Sequence, residues 1–256
     1  MLAIIGGTGL TNLANLEITR REVVRTPYGE PSGHLTFGHI GSAEMIFLAR
    51  HGYAHTLAPH EVNYRANIWA LHKAGATRII AVNAVGGIAT NMGPGVLAVP
   101  DQLIDYTVGR RHTFFEGDEP VVHVDFTFPF CARGRQLLLA AARGVELAAL
   151  DAGVIGVMQG PRLETRAEIM RLDRDGCSMV GMTTMPEATL AREKRISYAT
   201  LALSMNHAAG LGSSSSGIKL ADADAVLAVG MEKVRLIIAK AVEMHAALPA
   251  TEQGLA

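Results

Sequence analysis

The stretch that decides the fold is "RIIAVNAVGG", residues 78–87. It lacks the apolar–polar alternation of a strand with one face in water, so it predicts a strand that is buried on both faces. Five further apolar runs are predicted as strands, at 2–7, 44–49, 95–106, 153–160 and 198–206. Helix-patterned segments lie between them, at 63–75, 131–145, 165–176 and 221–248. This alternation predicts an α/β fold around a covered, largely parallel sheet.

The composition is typical of a globular protein with a sizeable core. The chain has 256 residues, of which 49% are hydrophobic and 18% are charged. This length fits one large domain or two small ones. Because no internal repeat and no Pro/Ser linker divides the chain, we predict a single domain over 1–248 and a flexible tail over 249–256. The formal net charge of -1 and the mixing of signs argue against a nucleic-acid partner.

Cysteine usage and apolar run length predict the cellular setting. Cys131 and Cys177 stand far apart and outside any metal-ligand spacing, which argues against a zinc site and a disulfide framework. We therefore predict no metal and a reduced, cytoplasmic setting. The amino terminus lacks the pattern of a secretory signal, and no stretch approaches about 18 uninterrupted apolar residues. We expect a soluble protein with no membrane partner.

Three predicted strands end in residues that suit an anion, and open α/β sheets bind ligands at the carboxyl ends of their strands. In "IIGGTGL", residues 4–10, Thr8 stands among glycines whose backbone N–H groups can approach an anion closely. A dinucleotide-binding loop is disfavoured, because "GGTGL" is not GxGxxG and no ribose-binding acid follows about 20 residues on. A simple tight turn stays open as an alternative.

The second and third strand ends add further donors. In "LARHGYAH", residues 48–55, Arg50 offers a planar fork that matches phosphate oxygens, and His51 stands beside it. A solvated strand end is the alternative for this pair. In "VNAVGGI", Asn83 and Ala84 precede two glycines that leave space for a ligand close to the backbone. Together the three ends supply several donors for an anion and no metal ligands.

Five motifs occur in one order between residues 3 and 245: "GGTG", "ARHG", "NYRANIWAL", "GPRLETRAE" and "MTTMPEATLARE". Together they resemble the trimeric class of purine nucleoside phosphorylases, most closely its methylthioadenosine phosphorylase branch. The resemblance implies a single α/β domain with a mixed sheet, partly closed into a barrel and flanked by helices. It also implies a homotrimer whose active sites lie near subunit boundaries.

The reaction implied by the resemblance is phosphorolysis, in which inorganic phosphate attacks C1′ of the ribosyl unit and the purine leaves. Phosphate is then a co-substrate, and no cofactor is implied. Catalysis would consist mainly of positioning and electrostatics, with Asn206 and Thr183 as the catalytic residues. Met182 would lie beneath the ribose, although a methionine on a strand is more often core packing. The implied phosphate-binding residues are Thr8, Arg50, His51, Asn83, Ala84 and Thr183.

Base recognition is where the sequence departs from the methylthioadenosine branch, which has Asp at the positions of Asn206 and Ala208. An amide can donate as well as accept, so Asn206 suits the carbonyl of a 6-oxopurine. Glu164 corresponds to the Glu that accepts from purine N1–H in 6-oxopurine enzymes. A helix-initiating role is the alternative for Glu164, since acidic residues are common in first turns. Leu163, His207 and Ala208, which stand beside these residues, are also predicted to bind substrate.

The 5′ end of the nucleoside is predicted to meet the segment 216–230, which lacks the His that binds a 5′-hydroxyl in related enzymes. Its aliphatic residues could form a pocket for a thioether methyl: Ile218, Leu220, Val226 and Leu227. By analogy, His123 would reach this pocket from a neighbouring subunit, where it could also serve a 5′-hydroxyl. The Gly/Ser segment 210–217 is either a mobile lid or an inert linker.

The leading hypothesis is therefore phosphorolysis of 5′-methylthioinosine, by a 6-oxopurine site joined to a methylthio site. Two alternatives lie within the enzyme class: a methylthioadenosine phosphorylase and a general inosine/guanosine phosphorylase. A purine-binding protein without catalysis is the third. It is disfavoured because a protein that only binds purine would not need Thr8, Arg50, His51 and Thr183 together.

Overall fold

Strands and helices alternate along the chain in the computed structural model, which describes residues 1–254 except 12, 14 and 118. The strands are β1 (Leu2–Gly6), β2 (Glu17–Glu22), β3 (Leu35–Ile40), β4 (Ala43–Ala49), β5 (Arg78–Gly87), β6 (Leu97–Ala98), β7 (Gln102–Asp105), β8 (Val154–Val157), β9 (Met179–Gly181) and β10 (Ser197–His207). The helices are α1 (Tyr64–Lys73), α2 (Ala132–Gly144), α3 (Arg166–Arg174), α4 (Thr184–Glu193) and α5 (Leu220–Ala246). Short 3-10 turns lie at Gly212–Ser214 and Ala250–Glu252. The predicted α/β class and all four predicted helices are confirmed.

The sheet is mixed, and β5 lies at its centre. Strand β5 pairs in parallel with β1 and with β10, and β1 pairs in parallel with β4. Antiparallel pairs join β2, β3 and β4 at one edge, while β9 pairs antiparallel with the end of β5. The mixed sheet implied by the resemblance is confirmed. Closure into a barrel stays a prediction, because the ladders of the described residues form a branched sheet.

The continuous apolar runs reflect burial on both faces of the central strands. Leu2 and Ile4 of β1 belong to the core cluster that includes residues of α2 and α5. Ala3 and Ile5 point to the opposite cluster, which includes residues of α1 and α4. Since successive side chains of a strand point to opposite faces, every position of β1 must be apolar.

Several elements differ from the sequence prediction. The strand predicted over 95–106 is two strands, β6 and β7, separated by a turn that contains Pro100, which cannot donate to a ladder. Strand β2 was not predicted because all six of its residues are exposed and most are polar. Strands β3 and β9 and helix α4 were also missed. Helix α4 is interrupted by non-helical backbone at Met185, and Pro186 follows directly.

The carboxyl-terminal residues contact the amino end of β5. Arg78 is fully buried and donates to the Glu252 carbonyl oxygen at 2.9 Å. The Thr77 hydroxyl donates to the Gln253 carbonyl oxygen at 2.8 Å. The flexibility predicted for 249–256 stays a prediction, and residues 255 and 256 lie outside the described part. Among the helices that the structure describes, none is long and apolar enough to cross a bilayer.

Candidate active site

The carboxyl ends of the parallel strands β1, β4, β5 and β10, together with residues of β9, which runs antiparallel to β5, surround a cavity of about 480 Å³. Parallel strands deliver their carboxyl ends to one edge of the sheet, which is where ligands bind in open α/β folds. The cavity is lined by most of the residues that the sequence analysis selected: Thr8, Arg50, His51, Asn83, Ala84, Leu163, Glu164, Met182, Thr183, Asn206, Ala208, Ile218 and Leu220. Segments that are far apart in sequence thus meet at one site.

Four selected residues do not line this cavity: His207, Val226, Leu227 and His123. The His207 ring turns toward the serine segment, with Nδ1 3.0 Å from the Ser213 hydroxyl oxygen. Val226 is half-buried on α5, and its neighbour Leu227 packs beside Gly9. His123 is exposed on the segment between β7 and α2. The substrate-binding roles of His207, Val226 and His123 stay predictions.

A buried ion pair lies at the end of the cavity that is lined by Thr8, Arg50, Asn83 and Thr183. We call this the anion end. The Arg50 side chain is 1% exposed, and its Nε and Nη2 donate to the two carboxylate oxygens of Glu187 at 2.6 and 2.9 Å. Its Nη1 donates to the Val82 carbonyl oxygen at 3.0 Å. Burial by itself lowers the pKa of Arg50, but the charge and hydrogen bonds of Glu187 outweigh burial and raise it. The guanidinium is therefore charged and fixed in orientation.

Tyr198 completes this buried cluster. Its hydroxyl donates to Glu187 Oε2 at 2.8 Å, and burial raises the pKa of Tyr198, which keeps the phenol protonated. A guanidinium has five N–H donors. The contacts above use three of those of Arg50, which leaves one on Nη1 and one on Nη2 for an anion in the cavity.

His51 presents an unprotonated nitrogen beside Arg50. Its Nδ1 lies 2.8 Å from the Leu57 carbonyl oxygen. A carbonyl oxygen only accepts, so Nδ1 carries the hydrogen. Burial and the charge of Arg50 lower the pKa of His51 to about 4, so the ring is neutral near pH 7. Its Nε2 can then accept a hydrogen bond.

Polar groups of β1, β5 and α4 complete the anion end. The Asn83 amide nitrogen donates to the Thr183 hydroxyl oxygen at 2.9 Å, and within the described residues the buried Asn83 Oδ1 has no partner. A Cβ at Gly7 would lie 2.5 Å from the Val82 carbonyl oxygen and 2.8 Å from Arg50 Nη1. Only glycine therefore lets the loop of Thr8 approach Arg50 this closely.

A β-bulge sets the position of Asn206. The pairing of β10 with β5 shifts register between Ser204 and Asn206, and bulges re-aim the side chains next to them. The Asn206 amide donates to the His207 carbonyl oxygen at 2.6 Å, which leaves its second N–H and its Oδ1 for a ligand. Asn206, near the end of this strand, thus lines the cavity.

Glu164 is not the residue that starts α3. The capping box of this helix pairs Thr165 with Glu168: Thr165 Oγ1 accepts from Glu168 N at 3.1 Å, and Glu168 Oε2 accepts from Thr165 N at 2.7 Å. Glu164 precedes the cap and lines the cavity. Burial raises the pKa of Glu164, which strengthens its carboxylate as an acceptor.

Met182 packs against a glycine on the other side of the cavity. Gly160 has a φ of +61°, and a Cβ there would lie 2.5 Å from Met182 Sδ. A side chain at this position would be strained and would displace Met182. The part of the cavity wall formed by Met182 therefore depends on close contact between the segments around residues 160 and 182.

Sequence reasoning missed several functional candidates. Glu187 lies in the quoted motif "MTTMPEATLARE", where an acid in an apolar setting signals a buried partner. His55 lines the cavity with Nε2 3.3 Å from the Thr8 hydroxyl oxygen, and its φ of +53° is unusual for a residue other than glycine. Asp224 lines the cavity near Leu220. No local pattern identified His55 or Asp224.

Comparison with known proteins identifies the family. The sequence model of the phosphorylase superfamily matches residues 1–243. The chain belongs to this family. The family resemblance stated from the five motifs is thereby confirmed.

Individual relatives cover nearly the whole chain. It is 54% identical over 239 residues to a probable S-methyl-5′-thioinosine phosphorylase of Pseudomonas syringae pv. tomato, covering 93% of this chain and 96% of that protein. It is 46% identical over 231 residues to the 6-oxopurine nucleoside phosphorylase of Pyrococcus furiosus, covering 88% and 84%. Its fold matches methylthioadenosine phosphorylase from Schistosoma mansoni in complex with adenine, with a TM-score of 0.92, 32% identity and coverage of 98% and 94%.

Removing Glu187 should destabilise the protein strongly. Glu187→Ala would leave Arg50 charged and buried without its partner, which costs about 3–5 kcal/mol of unfolding free energy. Tyr198→Phe is the matched control, because it removes one hydrogen bond from the same carboxylate at a cost of about 1 kcal/mol. Urea unfolding of the two variants measures the difference. A loss for Glu187→Ala no larger than that for Tyr198→Phe would contradict the central place of the ion pair.

Proposed function

We propose that this protein is a pentosyltransferase that cleaves a 6-oxopurine nucleoside with inorganic phosphate, and that S-methyl-5′-thioinosine is its preferred substrate. The products are hypoxanthine and 5-methylthioribose 1-phosphate. The observation that carries the proposal is that Asn206 and Glu164 line the same cavity as Arg50. The reaction as proposed needs no metal or organic cofactor, since phosphate is a co-substrate.

The anion end supports the role of phosphate as nucleophile. A phosphate oxygen forms a bond to C1′ while the bond from C1′ to the purine breaks, and the electron pair of that bond moves onto the purine. Positive charge builds on the sugar, so an anion fixed beneath it stabilises the transition state. The free N–H groups of Arg50 and the hydroxyls of Thr8 and Thr183 hold the anion, and Glu187 fixes Arg50 beforehand. Pre-formed positioning of this kind lowers the barrier.

The base end supports a 6-oxopurine. Such a base presents a carbonyl at C6 and a hydrogen on N1, whereas neutral adenine presents an amine and an unprotonated N1. The Asn206 amide can donate to O6 or to N7, where negative charge accumulates as the purine leaves. The Glu164 carboxylate can accept from N1–H. With an adenine base, the Glu164 carboxylate would face an unprotonated N1 and would have no hydrogen to accept. Because such unpaired polar groups are costly, discrimination against adenine can reach the order of 10⁴.

The 5′ end supports a thioether. Ile218, Leu220 and Ala223 line the cavity at the start of α5 and offer an apolar surface to a methylthio group. The relative that is 54% identical is named as a probable phosphorylase of the proposed substrate.

A general inosine/guanosine phosphorylase is the second candidate. Asp224 lines the cavity beside the aliphatic residues, and its carboxylate could accept from a 5′-hydroxyl. The Pyrococcus relative, named for 6-oxopurine nucleosides without a methylthio group, also favours this candidate.

Substrate comparison tests the proposal directly. We expect kcat/KM with phosphate to be higher for methylthioinosine than for methylthioadenosine by on the order of 10²-fold or more. We expect an advantage over inosine of about 10-fold to 200-fold, the range that a small apolar group provides. Equal rates for methylthioinosine and inosine would favour the second candidate, and preference for methylthioadenosine would refute both. Purine release without phosphate would exclude phosphorolysis.

Asn206→Asp should shift preference toward 6-aminopurines. The new carboxylate would face the C6 carbonyl of hypoxanthine as a second acceptor, but would accept from the amine of adenine. We expect the ratio of kcat/KM for methylthioinosine to that for methylthioadenosine to fall at least about tenfold. Asn91→Asp, at an exposed position, is the control and should leave the ratio unchanged. An unchanged ratio in Asn206→Asp would mean that Asn206 does not contact the base.

We also propose a cytoplasmic homotrimer in which His123 of one copy reaches the cavity of the next. Free thiols at Cys131 and Cys177 agree with a reducing compartment. Val121 and Phe128, on either side of His123, are 80% and 70% exposed, and exposed apolar surface of this kind favours contact with another subunit.

Light scattering should give three times the chain mass of 27.2 kDa. His123→Ala should lower kcat/KM for the nucleoside without changing this mass, because it removes a side chain from the neighbouring cavity. His72→Ala, at an exposed position on α1, should change neither quantity. A monomer with full activity would contradict the shared site.

A further inference from the structure

Arg110 lies outside the cavity lining but contacts two segments that form its wall, and it is linked to a third through Tyr64. The side chain is buried. Its Nη1 donates to the carbonyl oxygens of Met182 and Met185 at 2.7 and 2.6 Å. Its Nη2 donates to the Gln159 carbonyl oxygen at 2.8 Å, and Nε donates to Gln159 Oε1 at 3.2 Å. One guanidinium therefore connects the segment that leads to Glu164 with the segment that carries Met182.

The third segment is reached through Tyr64. The guanidinium carbon of Arg110 lies 5.4 Å from the centroid of the Tyr64 ring, and Nη1 lies 3.3 Å from the Tyr64 hydroxyl oxygen. That hydroxyl donates to the Pro59 carbonyl oxygen at 2.7 Å. Pro59 lines the cavity, and the loop before it holds the His51 ring through Leu57. Arg110 thus contacts two segments of the cavity wall directly, around Gln159 and around Met182, and is linked to a third, the loop of Pro59, through Tyr64.

Most of these contacts are made to backbone carbonyl oxygens, and none is made to an acid. Within the described residues, no carboxylate lies at ion-pair distance from Arg110. Burial lowers the pKa of Arg110, and the nearby Tyr64, Asp105 and Glu187 oppose this shift in part. The surrounding carbonyl oxygens satisfy its buried N–H groups. A planar fork with five donors can meet several oxygens in fixed directions, whereas a lysine ammonium acts as a point charge. The geometry of the fork, more than its charge, fits this site.

We propose that Arg110 is a positioning residue that sets the distance between the base-binding segment around Glu164 and the sugar floor at Met182. This inference rests on the proposed function. Arg50, the main donor to phosphate, is fixed by Glu187 and has no hydrogen bond to Arg110, whereas Met182 and Met185, which Arg110 does contact, flank Thr183. Loss of Arg110 therefore affects the alignment of the nucleoside more than the binding of phosphate.

Arg110→Lys tests the inference, with Arg111→Lys as the matched control. Arg111 is the next residue, is exposed and pairs with Glu116 at the surface. A misplacement of about 1 Å costs on the order of 10²-fold in rate. We therefore expect kcat/KM for the nucleoside to fall by on the order of 10²-fold in Arg110→Lys, while KM for phosphate changes far less. Arg111→Lys should match the wild type in both.

Rescue by guanidinium separates positioning from a loss of folding. Arg110→Ala leaves a space of the right shape, so added guanidinium ion should restore nucleoside turnover in a saturable way without changing wild-type rates. Should Arg110→Ala fail to fold, Arg110→Lys decides alone, with its melting temperature measured alongside.

Two results would overturn the inference. One is wild-type kcat/KM for the nucleoside in Arg110→Lys. The other is an equal fall in kcat/KM for the nucleoside and for phosphate, in proportion to a fall in melting temperature. If the wild-type protein releases no purine with phosphate, it is the proposed function that fails, and the variants are not needed to show it.

Discussion

The buried ion pair between Arg50 and Glu187 is the interaction on which the cavity depends. Two charges inside a protein are stable only when their geometry is good and their remaining hydrogen-bonding groups are satisfied. Here the pair is bidentate, Tyr198 donates to the carboxylate, and Val82 accepts from the guanidinium. The arrangement joins the end of β4 to α4 and β10. It also fixes the orientation of Arg50, which lines the cavity.

A second buried arginine organises the other end in a different way. Arg50 is neutralised by a carboxylate and offers donors to a ligand, whereas Arg110 has its donors occupied by backbone oxygens. The anion end is therefore built from buried polar groups on strand ends. The nucleoside end is built from loops, which need a cross-link to keep their spacing. The division matches a reaction in which phosphate is fixed and the nucleoside must be aligned with it.

Much of the site could be predicted from the sequence because polar residues interrupt apolar runs. Thr8, Arg50, Asn83 and Asn206 each follow or end such a run, and parallel strands bring their carboxyl ends together. The partner of Arg50 could not be predicted in the same way, because Glu187 lies 137 residues away on a helix that begins irregularly. Arg110 was missed because nothing in its local sequence signals contacts with the distant segments around Gln159 and Met182.

The sequence by itself determined the α/β class, the buried central strands and the strand ends that face the site, because apolar periodicity and its interruptions are local properties. Tertiary structure decided the rest. The neutral state of His51 follows from burial beside Arg50, and the direction of Asn206 follows from a bulge in its pairing with β5. Glu164 does not cap α3, because Thr165 and Glu168 form the capping box of this helix. Each of these depends on which groups packing brings into contact.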